Sequence, residues 1–174
     1  MKVYIQSNKY QRFAAKISAY SFERFGIKTQ LLDFDDNEIL RKYIGQKYLR
    51  NGNLRTYKDD LQSFTLLRFL APEINSSNEI ILVIDPDVFA LKNPYEMTNL
   101  IDNYDIACTF KNDLPRSEVM LINNKNIKWE FEEICRMLFS KEIDYIDLIN
   151  LNFDKKLKIK KISNNFNSID CIDN

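Results

Sequence analysis

Five consecutive residues, Ile80-Ile81-Leu82-Val83-Ile84, are β-branched or leucine. No other feature limits the possible folds of the chain as strongly. A strand with no polar residue on either face must be covered on both, as in a parallel sheet flanked by helices. Val3-Tyr4-Ile5 reads as a first strand, with Gln6, Ser7, Asn8 and Lys9 as its polar exit. From Gln11 onward Phe13, Ile17, Tyr20, Phe22 and Phe25 recur at helical steps, and Gly26 sits where a C-cap belongs. Residues 29–34 suit a second strand. The charged stretch 35–55 predicts a helix combined with a loop, and 60–70 predicts a helix ending near Pro72. Residues 104–110 and 119–122 predict two more short strands, and 128–139 an amphipathic helix. Strands alternating with helices predict an α/β sandwich. A chain of 174 residues suits one domain, 1–174, that buries roughly 70% of its unfolded surface.

Composition removes several functions. Lys plus Arg is 25 and Asp plus Glu is 25, so no net field steers the chain toward nucleic acid. Histidine is absent, which excludes histidine triads and histidine metal ligands. Cys108, Cys135 and Cys171 form no Cys-x-x-Cys pair, and the first two read as small core residues. No apolar run approaches the roughly 20 residues of a membrane span. Lys9, Arg12 and Lys16 interrupt any leader pattern, so a cytoplasmic location is expected.

The buried strand delivers Asp85-Pro86-Asp87 at its C-terminal end, the edge of an α/β sheet where ligands bind. Two carboxylates at this spacing can hold a hard cation such as Mn²⁺ or Mg²⁺. Such an ion offsets charge on a leaving diphosphate. Taken alone, the triplet is equally a turn after a strand. Dehalogenase-type phosphatases also place two aspartates after an apolar strand, but they want Thr or Val where this chain has Phe89. Three glycines in all leave no Gly-rich phosphate cradle.

Several separated motifs, in order along most of the chain, resemble family-eight-like glycosyltransferases, which have the GT-A fold. The resemblance implies a mostly parallel central sheet flanked by helices, Rossmann-like, that binds a nucleotide-diphosphate sugar. Tyr10, after a short polar loop and before a helix with Ser18 and Ser21, is similar to the family's Asp-x-x-Tyr segment. Ser7 or Asn8 stands in the neighbourhood of its Asp. This implies that Tyr10 contacts a uracil ring and that Gln6 and Ser7 lie at the donor. As a residue alone, Tyr10 equally suits a cover for the sheet edge. The stretch from Ser63 to Pro72 looks like the family helix whose arginine helps hold the donor, here Arg68. Asp85 and Asp87 then match the Asp-x-Asp metal motif, with Asp87 the stronger ligand and Asp85 facing the ion or the ribose.

Further along, Ser117 to Asn123 resembles the acceptor-side strand, usually Asn-Ser/Ala-Gly-Val-Met. Arg116 and Glu118 replace its Asn and Gly, and a charge at the glycine position crowds the sugar site. Asp147-Leu148-Ile149-Asn150 looks like the end of the Asp-Gln-Asp-x-x-Asn motif, and implies that Asp147 and Asn150 lie near the reacting carbon. Tyr145 and Ile146 replace its first two residues. Residues 162–167 are similar to a Leu-Pro-x-x-Trp-Asn turn. The family's metal site is completed by a C-terminal histidine that this chain lacks. The domain is expected to be short at its C-terminus, to use Asp170 or Asp173, or to have an incomplete site.

The resemblance thus implies glycosyl transfer from a UDP-linked donor to a glycan or lipid-linked acceptor, with retention of configuration. Inversion would need a base such as Asp113 or Asp147. The alternative is a nucleotide-sugar-binding or regulatory module of the same fold, which could pair with another subunit in an oligomer.

Overall fold

The computed structural model describes residues 1–77 and 79–166. Its strands are β1 (Lys2–Ser7), β2 (Lys28–Asp33), β3 (Lys47–Arg50), β4 (Asn53–Thr56), β5 (Ile80–Ile84), β6 (Ile106–Lys111), β7 (Leu114–Asn123) and β8 (Ile159–Lys161). Its α-helices are α1 (Arg12–Glu23), α2 (Glu38–Arg41), α3 (Ala71–Ile74), α4 (Phe131–Phe139) and α5 (Tyr145–Ile149). Six strands form one sheet in the order β2-β1-β5-β7-β6-β8, while β3 and β4 pair separately. β2, β1 and β5 run parallel, as do β6 and β8; β7 alone opposes its neighbours β5 and β6. The mostly parallel sheet expected from the sequence is present.

β5 lies between β1 and β7 and shows why its sequence lacks polar residues. Ile81 and Val83 join one buried cluster with Tyr4, Ile106, Cys108, Met120 and Ile122. Leu82 and Ile84 join another with Val3, Ile5, Ala107, Val119 and Leu121. Successive side chains point to opposite faces, so each residue of the strand belongs to one of two cores. Ala15, Ala19 and Phe22 of α1 cover the second cluster. Helices α4 and α5 and the 3₁₀ segment Ser63–Phe69 cover the first. No helix among the described residues is long and apolar enough to cross a membrane.

The structure departs from the sequence reading in four places. Residues 35–55 hold a 3₁₀ turn (Phe34–Asp36), the short α2 and the hairpin β3–β4. At its tip Asn51 and Gly52 have φ of 52° and 72°, the left-handed pair of a type I′ turn. Residues 60–70 do not form one α-helix. Ser63–Phe69 is wound as a 3₁₀ helix buried on all sides and continues into α3. With no solvent face, its register follows the tertiary contacts rather than helix periodicity. The predicted strand 119–122 extends to ten residues in β7. The predicted helix 128–139 starts only at Phe131, because Trp129 is buried with its indole N–H donating to Asp154 Oδ2 at 3.3 Å.

Asp144 fastens the hairpin to the body of the fold. It caps α5 by accepting from Ile146 N at 2.7 Å, and it also accepts from Asn51 N at 2.9 Å and Gly52 N at 2.8 Å. Burial works to raise its pKa, but these N–H donors outweigh burial and hold it below the usual value. A depressed carboxylate pKa stabilises the fold above the unfolded value of about 3.9, and that contribution fades as pH falls through the folded value. Asp144→Ala should therefore cost about 1–2 kcal/mol at pH 7, within the range for lost caps. Urea unfolding followed by circular dichroism should show the gap to the parent protein closing below about pH 4.

Candidate functional site

The C-terminal ends of β1 and β5 place Gln6 and Asp85 side by side, since Ile5 pairs with Ile84. Gln6 Nε2 donates to Asp85 Oδ1. Arg68 Nη2 donates to the same oxygen at 2.8 Å. The Arg68 side chain is 4% exposed and that of Asp85 20%, so this ion pair is sheltered on the protein side and open on one side only. Arg68 Nη1 donates to Ser117 Oγ at 2.5 Å, and Ser117 Oγ donates to the Ile149 carbonyl at 2.6 Å. The backbone continues the arrangement, with Asp85 N donating to Glu118 O at 2.9 Å. One carboxylate thus gathers β1, the Ser63–Phe69 segment, β7 and α5.

Oδ1 receives both side-chain donors, and Oδ2 receives none among the described residues. Asp85 opens onto a cleft of about 810 Å³ together with Asp87, Glu118, Ser163, Asn165 and Phe166. Asp87 is exposed, two residues further along the turn. Behind the turn α1 holds the loop. Ser18 Oγ donates to Val88 O at 2.5 Å, and Ala90 N donates to Ser21 Oγ at 2.9 Å.

Burial raises the Asp85 pKa from 3.8 to about 6, Arg68 opposes the rise, and Glu118 and Asp87 add to it. Glu118 behaves differently. Burial acts to raise it, but Arg116 donates to both of its oxygens at 2.9 and 3.0 Å and holds it low. The charge expected to crowd the sugar site therefore lines the cleft as half of a bidentate pair.

The donor set fits a hard divalent cation in part. Asp85 Oδ2 and Asp87 offer carboxylate oxygens, and Gln6 Oε1 is a buried acceptor with no partner. No cluster of three or more Asp, Glu or Cys able to hold a metal occurs among the described residues. Mg²⁺ and Mn²⁺ sites use one or two carboxylates and complete their shell with water and substrate phosphate. Two carboxylates suffice for that arrangement.

The structure brings Gln6, Arg68, Asp85 and Asp87 together, and places the other candidates around them. Ser7 is buried with its hydroxyl donating to Asn8 O at 3.3 Å. Tyr10 is 53% exposed at the start of α1, with Lys9 Nζ 5.0 Å from its ring centroid. Asp147 is exposed on α5 and Asn150 half-buried just after it; neither lines the cleft. Asp113 forms the β6–β7 turn with Asn112 and is fully exposed. Asp170 and Asp173 lie outside the described residues.

Two residues that the sequence marks only by their place in a motif have contacts in the site that it does not predict. Ser117 relays Arg68 to α5. Asn8 accepts from Tyr10 N and Gln11 N, both at 3.0 Å, and donates to Asp60 O at 2.7 Å and Ser63 Oγ at 3.1 Å. An Asn directly after a strand is a signal for such a local turn. Nothing in the sequence marks its partners more than 50 residues away.

Solved structures that share this fold include glycosyltransferases. The chain matches the apo form of glycosyltransferase GlyE from Streptococcus pneumoniae with a TM-score of 0.59 and 18% identity, over 95% of this chain and 45% of that one. It matches the galactosyltransferase LgtC, solved with donor and acceptor sugar analogues, with a TM-score of 0.57 and 18% identity over 93% of this chain and 73% of that one. For mouse xyloside xylosyltransferase 1 the TM-score is 0.53 and the identity 12%, over 93% of this chain and 84% of that one. The chain therefore spans less than half the length of GlyE. No family profile and no curated protein sequence matches it. The fold is the GT-A fold that the ordered motifs predicted.

The Arg68–Asp85 pair can be tested without a substrate. The side-chain carboxyl carbon of Asp85, followed by NMR, should titrate with a midpoint near 6. Because the folded value exceeds the unfolded one, the folded state holds the extra proton between them, and stability falls as pH rises from about 4 through 6. Arg68→Met should move the midpoint upward and cost about 3–5 kcal/mol at pH 7 by leaving a buried carboxylate unpaired. An unchanged midpoint in that variant would show that the guanidinium does not govern this carboxylate.

Proposed function

We propose that this chain transfers a glycosyl unit from a nucleotide-diphosphate sugar, UDP-linked in our reading, to a hydroxyl of a glycan or lipid-linked acceptor. The observation that carries the reading is Asp85. It is a carboxylate at the end of a buried strand, gripped on one oxygen by Arg68 and Gln6 and open to a cleft on its other side, within a fold shared with glycosyltransferases.

Asp85 and Asp87 would hold Mn²⁺ or Mg²⁺, which when bound supplies positive charge beside the diphosphate. Arg68 and Gln6 fix the Asp85 carboxylate in one orientation before any ligand arrives, so little reorganisation is needed during reaction. Tyr10 offers an exposed ring at the start of α1 against which a uracil can lie. Asp147 and Asn150 flank Ile149, whose carbonyl accepts from Ser117; the resemblance assigns them to the sugar, although neither lines the cleft. In the transfer the bond from the anomeric carbon to the diphosphate oxygen breaks, and a bond from that carbon to the acceptor oxygen forms. The acceptor proton passes to the departing phosphate. This route asks for no protein base and suits a chain without histidine, which favours retention of configuration.

One observation favours a second reading, a module that binds the donor with little turnover. Glu118, paired with Arg116, lines the cleft where a glycine would leave room for the sugar.

Calorimetry with UDP and Mn²⁺ tests both readings. Binding should depend on the metal and fall at least tenfold, about 1.4 kcal/mol, in Asp87→Ala. Slow hydrolysis of a UDP-sugar by the parent chain marks the enzyme, and binding without hydrolysis or transfer marks the module. If no nucleotide binds with or without Mn²⁺, both readings fail.

A further inference from the structure

A second cavity of about 500 Å³ lies beneath the β3–β4 hairpin. The hairpin register sets its character. Tyr48 pairs with Arg55, and side chains of paired residues share a face; Arg50, two residues from Tyr48, lies on that face as well. Tyr48, Tyr57 and Tyr145 line the cavity, with the Tyr48 ring 5.7 Å from Tyr145 and 6.4 Å from Tyr57. Around these rings stand three cations, Arg50, Arg55 and Lys58, and a single carboxylate, Asp60. None of the three cations forms an ion pair among the described residues. Arg50 lies 4.9 Å from the Tyr145 ring centroid and donates to Gln62 Oε1 at 3.0 Å. Asp60 Oδ1 is taken up by Gln62 N at 2.9 Å.

We propose that this cavity binds the acceptor and that it selects a saccharide carrying a negative group. The half-buried Tyr48 ring offers an apolar surface to the C–H side of a pyranose, backed by the buried rings of Tyr57 and Tyr145. The two guanidinium groups offer planar donor forks that match a carboxylate or a phosphate. A neutral sugar would leave three cations facing the single carboxylate of Asp60, whereas an acidic one adds a second anion. The cavity also adjoins the donor loop. Asp60, on its rim, accepts from Asn8, which follows β1 directly, and the neighbouring Asp59 pairs with Lys9. The hairpin is fixed beforehand by Asp144 at its tip, so binding does not have to order it.

The acceptor role rests on the transfer reaction proposed above, but the saccharide chemistry is tested by binding alone, with no nucleotide or metal. The chain, labelled with ¹⁵N, is titrated with a glucuronate-containing disaccharide, glucose 1-phosphate, lactose and inorganic phosphate, and NMR shifts are followed at Tyr48, Arg55 and Tyr145. One of the two acidic sugars is expected to bind at least tenfold more tightly than lactose. Preference for the disaccharide identifies a carboxylate as the recognised group, and preference for the sugar phosphate identifies a phosphate. Arg50→Gln/Arg55→Gln should remove that preference while leaving the thermal midpoint within a few degrees of the parent. Lys58→Gln, outside the hairpin strands, should weaken the same ligand in a fold that the hairpin changes cannot have disturbed. Equal binding of lactose and the acidic sugars overturns the proposal. So does inorganic phosphate binding as tightly as the sugar phosphate when the uronate disaccharide does not bind. UDP binding that survives alongside either result would leave the donor reading intact, so the two failures can be told apart.

Discussion

Asp85 is a carboxylate drawn partly out of water, and the architecture around it is arranged to make that tolerable. A buried carboxylate without a partner is costly, and an ion pair offsets the cost only when its geometry and remaining hydrogen bonds are satisfied. Arg68 provides the countercharge, and Ser117 occupies the second arm of the guanidinium. Gln6 adds a donor from the neighbouring strand. Each partner comes from a different element, so the site forms only when β1, β5, β7 and the Ser63–Phe69 segment are all in register. The pair is not fully compensated, because Arg68 Nε and Gln6 Oε1 are buried without partners among the described residues. Residual frustration of this kind is expected at a site held ready for a ligand rather than optimised for stability.

The parts of this design that were legible in the sequence are those with few physical solutions. An unbroken apolar run of five residues has to be covered on both faces, and that placed β5 at the centre of the sheet and its aspartates at the ligand edge. Arg68 was assigned by the motif around it; its burial has no local signature, since an arginine among apolar residues is as readily an ordinary ion pair. The hairpin was misread although its signal was present. Asn51-Gly52 is a strong type I′ pair, but the surrounding Lys and Arg residues gave the stretch the look of a solvated loop. Strand polarity is hidden as well, because the apolar run Val119 to Ile122 of β7 reads the same whichever way it runs. The Ser117 relay and the Asn8 hub could not be found, since each depends on partners distant in sequence that only the folded chain brings near.

The absence of histidine gives the cleft a particular electrostatic character. Its charged lining consists of Asp85, Asp87, Lys92, Glu96 and Glu118, of which Asp85 and Glu118 are paired with arginines. Glu118 is answered by Arg116 on the same strand, so the extra negative charge at the cleft edge is largely cancelled locally. Burial lifts the pKa of Asp85 to about 6, so its charge responds to its surroundings just below neutral pH. The two buried thiols do not complicate this picture. Burial lifts both Cys108 and Cys135 to about 12, which leaves them protonated and unreactive.

Asp144 has a wider reach than its role as a helix cap suggests. It ties the hairpin tip to the first turn of α5, and the last residue of that short helix, Ile149, receives the hydroxyl of Ser117. Ser117 in turn holds Arg68, and Arg68 holds Asp85. Because α5 has only five residues, it works as a rigid spacer less than 10 Å long, at about 1.5 Å per residue. The Asp85 cleft and the hairpin cavity are thus connected by a continuous chain of hydrogen bonds and one short helix. The spacing between the hairpin tip and the Asp85 carboxylate is thereby set by the length of that helix.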